Sequence, residues 1–264
     1  MSADVTTLQN PFSAVERSYG IVGTERLKNA HVCVVGIGGV GSWAAEALAR
    51  SGIGAITLID PDDISVTNIN RQVHADYSTL EQSKVENMAA RIALINPACR
   101  CTAIDDMLVS ANIDRHIGRG FDFVIDAIDT IRFKADLIFY CRRNRIPVIS
   151  VGGAGGKTDP LKVTIADLNK TWNDPLAAKV RKKLRSDYQW TNNSRKRFGV
   201  ECVFSTEQSR YPDRQGAVSY KKPGVPGATL DCDSGYGSLV TVTAVFGLLA
   251  ASRVLNRVAN VAVS

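Results

Sequence analysis

The sequence predicts an α/β fold, a mostly parallel sheet with helices on both faces. Three observations carry that expectation. A β-branched run, Val32 to Val35, stops at the glycine cluster Gly36-Ile-Gly38-Gly39-Val-Gly41, and the Ala-rich, helix-prone stretch Ser42 to Arg50 follows. A second apolar run, Ala55 to Ile59, ends at the acidic Asp60. Strand-like and helix-like segments then alternate as far as Val151, as a Rossmann-like sheet requires, because parallel strands need a crossover between them.

Along the chain, Val85, Met88, Ala89, Ile92 and Ile95 repeat at helical spacing within 79–96, and Pro97 closes that helix. Phe121 to Ile128 reads as a buried strand, Phe133 to Asn144 as a helix and Val148 to Val151 as another strand. The pattern then changes. GGAGGKTDP is a glycine-rich turn, Lys162 to Ile165 a strand, and Asp174-Pro175 opens a helix with an N-cap and a first-turn proline. Leu176, Val180 and Leu184 give that helix an apolar stripe and leave its basic residues outward.

Tyr188 to Asp233, rich in Gly, Ser, Pro and charge, reads as loops and a flap. Sequence without charge runs from Ser234 to Ser252, but a membrane span needs about 20 predominantly apolar residues, and this one is broken by Gly235, Gly237, Ser238, Thr241, Thr243 and Gly247. A buried C-terminal helix over about 238–256 is the expectation, with membrane association the weaker alternative. The whole of 1–264 is expected to form one domain, with a nucleotide-binding core over about 17–151 and a basic excursion over about 167–233.

Composition excludes disordered and fibrous classes, since 45% of the 264 residues are hydrophobic and 22% charged. The first ten residues lack a basic and an apolar signal region, so the cytosol is the expected compartment. None of the six cysteines stands in a CxxC pair, which argues against a structural zinc. The net charge of +6 is local. Nine Lys and Arg residues between Lys170 and Arg197 face only Asp174 and Asp187, a distribution suited to a polyanionic partner.

The glycine loop formed by Gly36, Gly38, Gly39 and Gly41 turns backbone amides and a helix N-terminus toward a phosphate. Asp60 lies 19 residues past Gly41, where an acidic side chain meets a ribose hydroxyl. These features leave NAD and ATP open. The segment Asn68-Ile-Asn70-Arg71-Gln72 chooses between them, because a dehydrogenase does not need an arginine beside the phosphates and Arg71 is placed for a triphosphate. Lys84 adds a second positive charge, and Asp126 and Asp129, in DAIDT, are hard-oxygen ligands suited to Mg2+.

From Arg17 to Val151 these motifs resemble the adenylating enzymes related to ubiquitin activators and to the activators of sulfur-carrier proteins. The resemblance implies that Gly39, Asp60, Asn68, Arg71, Lys84 and Asp129 bind ATP, with Asp129 near the Mg2+. Two features depart from the protein activators: both CxxC pairs are missing, and the paired N-terminal arginines are reduced to Arg17. GGAGGKTDP, NDPLAAKVRKKLRSD, GVECVFSTE and LDCDSGYGS look like one branch, the tRNA threonylcarbamoyladenosine dehydratases.

That branch implies a modified adenosine beside the tRNA anticodon as substrate, an acyl-adenylate as intermediate, and a homodimer that has a sulfur-relay protein as a further partner. Lys179, Lys182, Lys183, Arg185, Arg195, Lys196 and Arg197 are then the candidate tRNA contacts, with Trp172, Tyr188 and Trp190 available for stacking. Cys232 is expected to be structural, because Asp231 and Asp233 beside it disfavour a thiolate. Rival readings are an activator of a ubiquitin-like or sulfur-carrier protein, an NAD-dependent oxidoreductase, and a docking protein without catalysis.

Overall fold

Short β-branched runs and amphipathic helices alternate through most of the chain, and their apolar faces can be buried together only as a layered sheet. The computed structural model describes residues 10–118, 120–213, 215–221 and 237–260. In chain order the first half holds α1 (Ser13–Asn29), β1 (His31–Val35), α2 (Gly41–Arg50), β2 (Ala55–Ile59), α3 (Lys84–Ile95), β3 (Arg100–Ile104), α4 (Ile113–Ile117) and β4 (Phe123–Asp126). The second holds α5 (Ile131–Arg143), β5 (Val148–Val151), β6 (Val163–Asp167), α6 (Pro175–Tyr188), β7 (Glu201–Ser205), the small ladder of β8 (Tyr211–Pro212) and β9 (Val218–Ser219), and α7 (Val240–Ala259).

Seven strands form one sheet in the order β3-β2-β1-β4-β5-β7-β6. Every pairing is parallel except that of β6 with β7. One face is covered by α1, α2, α3 and α7, where Leu27, Leu48, Met88, Phe246 and Val254 pack onto Val34, Ile56 and Ile125. The other is covered by α4, α5 and α6, through Ile117, Leu137, Ile138, Val180 and Leu184.

Two expectations are corrected. The third helix starts at Lys84, not at Thr79, because the backbone turns through a left-handed Glu81 (φ 64°) just before it. Within 188–233, read as loops, Glu201–Ser205 is an interior strand: β7 lies between β5 and β6, with Cys202, Val203 and Phe204 fully buried. Five residues between turns are too few to show a period, and the burial that stabilises them comes from neighbours distant in sequence.

The C-terminal helix forms, and α7 buries Val242, Phe246, Ala250 and Val254 along one face. It is long and apolar enough to cross a membrane, yet half of its apolar window is buried within the protein. Its contact with α2 is close enough that a Cβ on Gly247 would stand 2.4 Å from the Val40 carbonyl oxygen.

Candidate active site

From β1 the chain winds outward to β2 and β3, then crosses to β4 on the other side of β1. This places a topological switch point between β1 and β4, where open α/β sheets bind ligands. The loops that follow these two strands touch there. A Cβ on Gly36 (φ 87°) would lie 2.7 Å from the Ala127 carbonyl oxygen, and one on Gly41 would lie 1.7 Å from the Gly36 oxygen, so both positions require glycine. No side chain caps the start of α2, whose Ser42 amide donates to the Gly38 carbonyl (3.1 Å) within the loop, and a helix N-terminus of this kind favours an anion.

Asp60 sits below this loop. Its Oδ2 accepts a hydrogen bond from the Ile37 amide (2.6 Å), and its Oδ1 accepts one from the Asp62 amide (3.0 Å). Burial pushes the Asp60 carboxyl above its ordinary range, against the opposing pull of Lys84 and these amides. The Lys84 ammonium stands 2.7 Å from Asp62 and 3.9 Å from Asp60, so the cation predicted from sequence is held at the mouth of the site by two carboxylates.

Arg71 lies across the glycine loop. Its Cγ would be 3.1 Å from a Cβ on Gly39, and its guanidinium donates to the Thr67 carbonyl (2.6 Å) and to Asn70 (3.1 Å). The indole of Trp43, in α2, donates to the Arg71 carbonyl at 2.9 Å and fixes the segment to the helix that the loop opens. Asn68 is buried, and its side chain accepts from the Ser65 amide, which shapes the turn that presents Arg71. Gln72 belongs to the site without a role assigned from sequence: it is buried, its amide nitrogen borders Gly38, and its Oε1 has no partner among the described residues.

After β4 the two acidic residues of DAIDT diverge. Asp126 is corrected as a metal ligand: it is fully buried, paired with Lys134 at 2.9 Å, and accepts from the Ser150 hydroxyl at 2.7 Å. Lys134, also missed from sequence, donates to the carbonyls of Asp126 (3.2 Å) and Ile128 (3.0 Å), so one buried ammonium sets the path of the loop. Its signal was a lysine on the apolar face shared with Leu137, Ile138 and Cys141.

Asp129 is exposed at the end of the same loop. No cluster of three or more metal-binding side chains exists among the described residues. A single exposed carboxylate nonetheless fits Mg2+, which is commonly held by one or two carboxylates with phosphate oxygens completing its shell.

The GGAGGK turn forms the far wall. Asp174, the N-cap of α6, accepts from the amides of Gly153 (3.0 Å) and Ala177 (2.9 Å), and its carboxylate fills the space that a Cβ on Gly152 would occupy. Buried Lys157 donates to the carbonyls of Asn173 and Glu207, while the Glu207 carboxylate accepts from the amides of Thr158 (2.9 Å) and Asp159 (3.0 Å). The short segment before α7 bridges the two walls, since the Gly237 carbonyl accepts from Gly156 (2.7 Å) and the Ser238 carbonyl from Asn70 (2.8 Å).

Burial raises the thiols of Cys99 to about 11 and of Cys101 and Cys141 to about 12, which leaves none of these as a thiolate near neutrality. Cys232 lies outside the described residues.

The basic segment divides in two. Lys183 pairs with Asp187, and Arg185 donates to Asn169 (2.6 Å) and covers the Phe198 ring. Lys179, Lys182, Arg195, Lys196 and Arg197 are exposed. Of the aromatic residues, Tyr188 stacks on Phe139 and Trp190 packs edge-on against Phe198, while Trp172 is half exposed.

The ThiF family model matches residues 13–263. The chain is 51% identical over 247 residues to the tRNA threonylcarbamoyladenosine dehydratase of Escherichia coli (strain K12), covering 93% of this chain and 92% of that protein. It is 48% identical to the Haemophilus influenzae enzyme of the same name, covering 97% and 95%. The crystal structure of the E. coli dehydratase in complex with ATP superposes with a TM-score of 0.83 at 48% identity, over 94% of this chain and 93% of that one.

Proposed function

Since the chain belongs to the ThiF family, we propose that it uses ATP to dehydrate and cyclise N6-threonylcarbamoyladenosine in tRNA. The observation that carries this reading is that the glycine loop meets both Arg71 and the loop after β4, in which Asp129 stands, in a chain that matches dehydratases along nearly its whole length.

ATP is the first substrate. The glycine-loop amides and the N-terminus of α2 receive its phosphates, Asp60 its ribose, and Arg71 lies over the phosphate chain. The threonyl carboxylate attacks the α-phosphorus, forming an acyl-adenylate and releasing pyrophosphate. A nitrogen of the same modification then attacks the activated carbonyl, AMP leaves and a ring closes, so that the nucleoside loses one water in total. A carboxylate is a weak nucleophile repelled by phosphates, and Arg71 and Lys84 offset that charge as it develops. Asp129 would hold Mg2+, which neutralises phosphate charge when bound.

Ring closure is intramolecular, so positioning supplies much of the second step and no enzyme thiol is required. The exposed Lys179, Lys182, Arg195, Lys196 and Arg197 hold the tRNA backbone. The whole chain acts as one cytoplasmic adenylation domain and ligase. Exposed Leu239, Val240 and Leu248, along α7, support its assembly as a homodimer.

The deciding experiment is incubation with ATP, Mg2+ and threonylcarbamoylated tRNA, followed by digestion and mass measurement of the nucleosides. Loss of one water from the modified nucleoside is expected with the native protein and not with Arg71→Ala. An unchanged nucleoside mass with the native protein would overturn the reading.

A further inference from the structure

We propose that an arginine-lined groove at the amino-terminal edge of the sheet, opposite the adenylation site, binds the phosphate backbone of the tRNA stem; this rests on the tRNA reading above and extends it. The groove has a volume of about 1010 Å³ and is lined by Ile21, Val22, Arg26, Arg142, Arg145 and Arg257, among others. It opens where β4, β5 and β7 begin, since Phe123, Val148 and Glu201 also line it.

Its acidic groups are already engaged. Glu25 pairs with Lys28 (2.7 Å), Asp122 accepts from the His31 amide (2.8 Å), and Glu201 is paired with Arg253 and Arg257. Arg142 and Arg145 are exposed and form no ion pair with another described residue. Two uncommitted guanidinium groups, with Glu25 and Glu201 already ion-paired and Asp122 the one lining acid outside those ion pairs, make this end of the molecule attractive to phosphate.

The groove is continuous with the basic segment. The Arg142 guanidinium lies against Gly199, two residues beyond Arg197. From there α6 leads back to the chemistry: its N-cap Asp174 is bonded to Gly153 beside the site, and two residues past its end at Tyr188 the Trp190 ring packs on Phe198, three residues before β7. Its 14 residues span about 21 Å, and Lys179 and Lys182 are exposed on the way. A single ligand that engages both edges must therefore be a rod-like polyanion of at least that length. A nucleic-acid stem meets this requirement and a free nucleotide does not.

The test is anisotropy titration of fluorescent, threonylcarbamoylated tRNA and of its isolated anticodon stem-loop against the full-length protein at several salt concentrations. Replacing both arginines (Arg142→Gln with Arg145→Gln) is expected to weaken binding about tenfold or more and to lower the salt slope by about two, one for each phosphate that is no longer neutralised. ATP affinity should not move. Arg145→Gln alone, at an exposed position, should give about half the change in slope and separates the removal of charge from a folding defect. Unchanged tRNA affinity and slope in both variants, with the native protein still binding tRNA, would overturn the groove assignment alone. If the native protein neither binds nor dehydrates the tRNA, it is the functional reading that fails.

Discussion

At the residue scale, His74 shows how much of the site's surroundings is buried without compensation. It is 4% exposed, and neither ring nitrogen has a partner among the described residues. Burial, reinforced by the positive charges of Lys84 and Arg91, lowers its pKa from 6.5 to about 4. Between these values the unfolded chain takes up a proton that the folded chain refuses, so stability contributed by neutral His74 is complete above pH 6.5 and is lost as pH falls toward 4. Unfolding free energies from urea titrations across that window should fall by up to about 1.4 kcal/mol per pH unit more steeply in the native protein than in His74→Leu. Arg71 and Asp129 were legible in the sequence as candidates because each belongs to a fixed local motif. Lys134 was not, since its partners are the Asp126 carboxylate and two carbonyls that only the turn after β4 brings to it.

At the element scale, α6 is the best-announced helix. Asp174 followed by Pro175 is an N-cap and first-turn signature, and the structure places the cap on the Ala177 amide at 2.9 Å. The same carboxylate also holds the Gly153 amide, so the helix start and the wall of the site share one side chain. Asp174→Ala should cost about 1–2 kcal/mol of stability in a denaturant titration from removal of the cap, and it should also weaken dehydration by loosening the GGAGGK turn. Asp174→Asn, which keeps an acceptor, should recover most of both. The start of α3 lies five residues later than Thr79 because the left-handed Glu81 interrupts the backbone, and the apolar repeat itself begins only at Val85.

At the scale of the whole molecule, the chain leaves the sheet after β5, forms β6 and α6, and returns as β7 directly beside β5. The basic segment is therefore anchored at both ends to the sheet that carries the glycine loop, and five of its cations are exposed. Binding of the two substrates should be separable. Neutralising Lys182, Arg195, Lys196 and Arg197 together should weaken tRNA binding and flatten its salt dependence by about one unit of slope per phosphate left without its cation, with ATP affinity by calorimetry unchanged.

The amino-acid order alone determined the alternation of strand and helix, the glycine loop with its acid 19 residues on, the Asn68–Gln72 segment with its arginine, and the concentration of charge between Lys170 and Arg197. All of these are encoded within a few residues of one another or by composition. Tertiary structure decided the rest: that Asp126 is a buried partner of Lys134 while Asp129 is exposed, that Lys183 and Arg185 turn to partners within the protein, and that Glu201–Ser205 is an interior strand. The Lys183–Asp187 pair is a local contact along α6, but the others share one physical reason: burial and pairing are properties of the space between elements, which is filled only once the sheet has closed.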